Sequence, residues 1–264
     1  MRIILTVIIQ IVILVLLVIF NKIFKKSNLI ENVYNSMYLL SKYILGCNLE
    51  IIGNPLELND KLLVISNHPT TLDFMYLLHW AKQHNRIKDI RFIAKDGIGN
   101  IPGVGKYIRE TQCLISRDYE ADKDKIIDFC KRLSEEENYI LVIFPEGTTV
   151  FPESKAKSQT FSEKNDKPVF ENVLYPRHKG LELILKNLVI EQVLDITLFY
   201  DDDKKCYKCA YDKDFLFDSY PKHGKILEKE IELEQIKIEN IEKLLEKTWR
   251  RKEKFISKIL EKED

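Results

Sequence analysis

Residues 62–73 read LLVISNHPTTLD, and they constrain the fold more than any other stretch of the chain. Leu62, Leu63, Val64 and Ile65 form an unbroken apolar run with two β-branched members, as a buried strand requires. Asn67-His68-Pro69 stops that strand. Apolar residues then recur at helical spacing through Phe74, Leu77, Leu78 and Ala81, so a helix is predicted to begin near Thr70. His68 therefore stands where a strand runs out, and Asp73 lies in or near the first helical turn. From there the carboxylate can reach back to the imidazole, bind Nδ1–H, fix the tautomer and leave Nε2 free to take a proton. A plainer reading fits the same residues: Thr70-x-x-Asp73 is a capping box, and Asn67 is an ordinary turn residue.

At 264 residues the chain suits one α/β domain with appendages. Lys+Arg and Asp+Glu both number 41, so no overall basic field points to nucleic acid. The amino terminus is different. From Ile3 to Phe20 only Thr6 and Gln10 are polar, and about 18 apolar residues suffice to cross a hydrocarbon core. A cleaved signal peptide would have a shorter apolar region followed by small residues, whereas Lys22, Lys25 and Lys26 follow here. The reading is a retained anchor over 1–26, with the rest of the chain facing the cytosol. Cys47, Cys113, Cys130, Cys206 and Cys209 are odd in number and scattered, which suits a reducing compartment. Cys206-x-x-Cys209 is half of a zinc or redox pattern without a second pair, and a chance pair accounts for it.

An amphipathic helix is expected within Ile30 to Ile52, either packed on the domain or lying on the membrane surface, with a short strand at its end. Ile90–Lys95 reads as a strand, followed by a glycine-rich run with neither the G-x-x-x-x-G-K-[ST] nor the G-x-G-x-x-G spacing of nucleotide-binding loops. That run brings backbone close to something, with Ile98, Ile101 and Val104 expected to face inward. Cys113–Ser116 is a short strand ending at Arg117, which is either a surface ion-pair residue or a bidentate phosphate ligand. Helical spacing covers 124–136, and Tyr139–Phe144 is a second buried strand, stopped by Pro145-Glu146-Gly147-Thr148. Two polar loops at strand ends can line one crevice, because open α/β sheets bind ligands at the carboxyl ends of their strands. Residues 151–167 read as a loop, and 225–262 as one or two amphipathic helices broken near Glu239-Asn240.

Asn67-His68-Pro69-Thr70-Thr71-Leu72-Asp73 followed by Phe144-Pro145-Glu146-Gly147-Thr148 resembles the glycerolipid acyltransferases, with their N-H-x-x-x-x-D and F-P-E-G-T motifs. Lys95 to Pro102 with Arg117 is similar to the family's middle motif. Pro176-Arg177-His178-Lys179-Gly180, the strand Asp195–Tyr200 and the Trp249–Lys254 helix resemble the lysocardiolipin and lysophosphatidylinositol acyltransferase branch. Departures exist: Thr149 stands where many members have arginine, and Phe74 where this branch usually has tryptophan.

The resemblance implies an α/β fold, with a mixed central sheet flanked by helices behind an N-terminal transmembrane helix. The organisation would be anchor 1–26, linker 27–60, acyltransferase domain 61–224 and C-terminal helices 225–264. It implies transfer of a fatty acyl group from acyl-CoA to a lysophospholipid, with His68 as general base oriented by Asp73. Asn67, Arg117, Glu146, Gly147, Thr148 and Arg177 would bind substrate, Glu146 by accepting from a hydroxyl or by holding Arg117. No metal and no cofactor beyond the acyl-CoA co-substrate are expected. The bilayer is the expected partner, at the endoplasmic reticulum with the domain toward the cytosol. Two other classes bear on the same residues. A non-catalytic lipid-binding protein would be marked by a degraded His68/Asp73 pair, and a metal-dependent phosphoesterase would need further His or Asp ligands.

Overall fold

The computed structural model describes residues 29–100, 105–200 and 221–262. Its centre is the pair of strands predicted to be buried, β2 (Lys61–Ser66) and β5 (Tyr139–Ile143), which run parallel side by side. Successive side chains on a strand point to opposite faces. Leu62, Val64, Ile140 and Val142 accordingly enter one apolar core, while Leu63, Ile65, Tyr139, Leu141 and Ile143 enter the other. Both faces of such strands demand cover, and helices supply it on each side.

The full sheet has seven strands. β1 (Asn48–Ile52), β3 (Ile90–Lys95), β4 (Cys113–Ile115), β6 (Gln192–Tyr200) and β7 (His223–Ile231) join the central pair in the order β1-β7-β6-β2-β5-β3-β4. Only the β6–β7 pairing is antiparallel, so the sheet is mixed, as expected. The helices are α1 (Leu29–Leu40, extended by a π turn over Ser41–Leu45), α2 (Asp73–Gln83), α3 (Gly105–Thr111), α4 (Tyr119–Ser134), α5 (Pro152–Lys164), α6 (Lys179–Asn187) and α7 (Ile241–Lys262). α1 and α2 pack on the first core, and α4, α6 and α7 on the second.

Several expectations need correction. Residues 151–167 are not a loop: α5 starts at Pro152, which suits a first helical turn because its missing N–H has no partner to lose there. The Phe151 N–H donates to Ser154 Oγ at 2.6 Å, closing the first turn. Of the residues in α5 only Ser162 is buried, so there was no apolar stripe for periodicity to reveal. The helix expected over 124–136 begins at Tyr119, because the Asp118 carboxylate caps it by accepting from Glu120 and Ala121 N–H.

Residues 225–231 are strand rather than helix. β7 lies between β1 and β6, so the sheet crosses the boundaries drawn at 60 and 224. Ile98 is 41% exposed rather than inward-facing, while Ile101 and Val104 lie outside the described residues. The close backbone approach in that run is real: a Cβ on Gly105 would sit 1.9 Å from the Gly99 carbonyl oxygen.

α1 packs on the domain through Val33 and Tyr34, leaving Leu39 and Tyr43 outward. The proposed membrane anchor and the Cys206/Cys209 pair lie outside the described residues. Among the described residues, no helix is long and apolar enough to cross a membrane. Cys47, Cys113 and Cys130 are buried.

Candidate active site

Every parallel strand from β2 to β4 releases its chain at the same rim of the sheet, and the motif residues collect there. Past Ser66 the backbone leaves β2, and Asn67 replaces the missing ladder with its side chain. Its Nδ2 donates to Leu198 O and its Oδ1 accepts from Leu198 N, each at 2.8 Å. Each polar end of the buried amide thereby holds a backbone partner, and Asn67 docks the loop onto β6.

The Asn67 dock throws His68 over the rim. Its Nδ1 donates to Asp73 Oδ2 at 2.7 Å, with 19% of the imidazole exposed and none of the carboxylate. A carboxylate can only accept, so Nδ1 carries the proton and Nε2 is left as the basic nitrogen.

Asp73 is the first residue of α2 and is saturated with donors. Thr70 N–H reaches both oxygens at 3.1 Å, Thr70 Oγ1 donates to Oδ1 at 2.8 Å, and the buried Tyr200 hydroxyl donates to Oδ1 as well. The residue that closes the turn over Thr70 thus also orients His68, although the capping box read from Thr70-x-x-Asp73 is not formed: the helix N-cap is Leu72, with no side-chain cap. Tyr200 went unassigned in the sequence. The branch-like strand Asp195–Tyr200 was the available signal, but only the sheet order brings its end beside His68. Burial, then the charge of Asp73, raises the Tyr200 phenol well above its ordinary pKa, so it remains a donor.

The second motif follows β5. Phe144 stacks on the His68 ring, with centroids 4.1 Å apart and planes 19° from parallel. Gly147 turns the chain at φ +71, a left-handed conformation that favours glycine. The exposed Arg177 lies across this turn, its guanidinium 3.7 Å from where a Gly147 Cβ would stand. Thr148 is half-buried. Glu146 is buried, and its Oε1 accepts from Trp249 Nε1 at 3.1 Å. It does not pair with Arg117, so the expected carboxylate–guanidinium contact is not formed. Burial pushes the Glu146 carboxyl up to about 8, against the opposing pull of Trp249, the His68 backbone N–H and the Lys252 ammonium.

Arg117 follows β4 with φ +72, its backbone N–H donating to Asp122 Oδ2 at 2.7 Å and its side chain exposed. It stands three strands from His68, about 14 Å along the rim at ~4.8 Å per strand. Among the described residues no group of three or more His, Cys, Asp or Glu could hold a metal ion.

With the paired His68 and Asp73 at one strand end and the Glu146-Gly147-Thr148 turn at the next, the acyltransferase family model matches residues 48–197, more than half of the chain. The chain is a member of the acyltransferase family. It is 26% identical to lysocardiolipin acyltransferase 1 of Gallus gallus over 230 residues, covering 84% of this chain and 60% of that protein. It is 29% identical to lysophosphatidylinositol acyltransferase 10 of Caenorhabditis elegans over 171 residues, covering 61% of this chain and 43% of that protein. The chain thus spans about half the length of these curated relatives. The crystal structure of the 1-acyl-sn-glycerophosphate acyltransferase PlsC from Thermotoga maritima aligns with a TM-score of 0.54 at 16% identity, over 93% of this chain and 97% of that one, a likeness of fold. Within the family model's span lie β1 to β5 and most of β6, and with them His68, Asp73 and Glu146.

Proposed function

We propose that this acyltransferase moves a fatty acyl group from acyl-CoA to the free hydroxyl of a lysophospholipid. The observation that carries the reading is the 2.7 Å contact of His68 Nδ1 with the buried Asp73 carboxylate, on a ring that remains partly exposed. The relatives named for lysocardiolipin and lysophosphatidylinositol acylation favour a lysophospholipid acceptor. A thioester is already activated, so the reaction needs a deprotonated alcohol more than an enzyme nucleophile.

His68 Nε2 takes the hydroxyl proton as the acceptor oxygen attacks the thioester carbonyl. The new C–O bond forms, and the carbonyl becomes a tetrahedral oxyanion. As the oxyanion collapses, the C–S bond breaks and the CoA thiolate takes the proton from the imidazolium. Asp73 holds the tautomer and stabilises that imidazolium throughout.

Arg177, Gly147 and Thr148 receive the acceptor's phosphate. The guanidinium supplies charge beside a turn where no Cβ blocks approach, and β5 is the neighbour of β2. Arg117, farther along the rim, meets the outer phosphate groups of either substrate. The apolar segment 1–26 anchors the chain in the endoplasmic reticulum membrane with the domain on the cytosolic side. Both substrates carry acyl chains that partition into that bilayer.

The test is CoA release by the purified full chain in phospholipid vesicles. Lysophosphatidic acid, lysophosphatidylinositol and monolysocardiolipin are offered in turn with oleoyl-CoA. Wild type is expected to turn over at least one of them, and His68→Ala to lose about 10²–10⁴-fold in rate. Undiminished turnover by the variant would refute His68 as the base.

A further inference from the structure

His68 is gripped by the β5 loop as well as by Asp73. Phe144 stacks on its ring, and the Val150 N–H donates to its carbonyl at 3.2 Å. The second hold joins backbone groups, which fix the position of the residue whatever its ring does. Glu146 is in turn fastened from outside the loop. Trp249 of α7 is fully buried and donates its indole N–H to Oε1.

One turn further along the same helix, Lys252 is also fully buried. Its ammonium pairs with Asp195, donates to Ile196 O on β6, and lies 5.1 Å from the centroid of the Trp249 ring. An ammonium removed from water is costly unless paired, and here it pins α7 to the strand beside β2. The groups facing Glu146 are thus Trp249 and Lys252 from α7, the His68 N–H from the β2 loop, and Asp73 from α2.

We propose that Trp249 and Lys252 are positioning residues for the reaction, acting through Glu146 to fasten the β5 loop that holds His68 at the rim, and that Glu146 serves as this brace without touching substrate. The proposal rests on the acyl-transfer role of His68. α7 then is part of the active site's construction even though it contributes no group to the chemistry.

The test compares wild type, Trp249→Phe, Glu146→Ala, Glu146→Gln and the Trp249→Phe/Glu146→Ala double variant of the full chain. Two readouts are taken: steady-state kinetics, and hydrogen exchange of peptides spanning 67–72. Trp249→Phe and Glu146→Ala are each expected to lower kcat about tenfold, with the acceptor KM within twofold of wild type. The double variant should be no slower than the worse single, because both act through one link. Glu146→Gln, which keeps an oxygen for the indole, should recover part of what alanine loses.

Exchange at 67–72 should quicken about tenfold in Trp249→Phe while peptides from β3 stay as in wild type. If Trp249→Phe fails to fold, Lys252→Arg and Glu146→Gln carry the same two readouts, with the kcat loss again outweighing any KM change. A rise in acceptor KM at unchanged kcat in the Glu146 variants, or wild-type exchange at 67–72 in Trp249→Phe, overturns the proposal. Absence of turnover by wild type would instead refute the acyl-transfer reading, and the exchange data would still decide whether α7 braces His68.

Discussion

Asp73 receives His68 Nδ1–H, two donors from Thr70 and the Tyr200 hydroxyl, all without exposure to water. A carboxylate so crowded with donors is fixed in orientation, and it fixes the imidazole in turn. Tyr200→Phe deletes one of these donors and leaves the others in place. Its expected cost is ~1–3 kcal/mol of folding stability, the usual range for a lost buried hydrogen bond, read by urea unfolding. Turnover should fall but persist, since Thr70 and His68 still hold the carboxylate.

The His68/Asp73 pair was legible because both members lie within five residues, where strand and helix periodicities meet. Tyr200 was not, because it reaches Asp73 only through the neighbouring of β2 and β6, which no local pattern encodes. The docking of Asn67 on β6 was hidden for a related reason. Its partner is a backbone group 131 residues away, and an amide with long-range backbone partners looks in sequence like one free for substrate.

Among the elements, α1 shows how a peripheral helix is tied to α2 and to the residue that precedes β4. Ser41 Oγ meets His79 Nε2 at 2.7 Å, Lys82 Nζ donates to Asn35, and Tyr34 accepts from Gln112. Burial, aided by the Lys42 charge, lowers the His79 pKa from 6.5 to about 4. A histidine held neutral in the fold contributes stability that is complete above its unfolded pKa and is lost as pH falls toward the folded one. Stability should therefore drop between pH 6.5 and about 4, by up to ~3 kcal/mol from this group. Urea midpoints of wild type and His79→Gln across that range should converge on acidification. Parallel curves would contradict the assignment.

Elements with a strong apolar period, β2, β5 and the body of α4, could be read from sequence. α5 could not, since its surface is polar nearly all round. Nor could β7, whose apolar positions are interleaved with Lys225, Glu228, Lys229 and Glu230. Glu228 is buried despite its charge: it accepts from Leu56 N–H and pairs with His84, partners that its own segment gives no hint of.

The molecule as a whole is closed by α7, which returns from the C-terminus to cover the second core and the underside of the rim. Lys252 is the point where that closure is least forgiving. Lys252→Met strips the buried partner from Asp195, leaving only the half-exposed Arg251, and should destabilise the fold by about 3 kcal/mol or more in denaturant unfolding. Lys252→Met combined with Asp195→Leu should regain most of that loss, since no unpaired buried charge remains. The resemblance had marked this helix by its Trp249–Lys254 segment; what it could not show was that Trp249 reaches Glu146.

These layers converge on a single imidazole at the end of β2, and its partnership with Asp73 is what the account most depends on. The most direct test is a double-mutant cycle on acyl transfer from oleoyl-CoA, using His68→Ala, Asp73→Asn and the two combined. If Asp73 acts only by orienting and stabilising His68, the double variant will be no slower than His68→Ala alone. Losses that multiply would show that the two side chains act independently and would contradict the account.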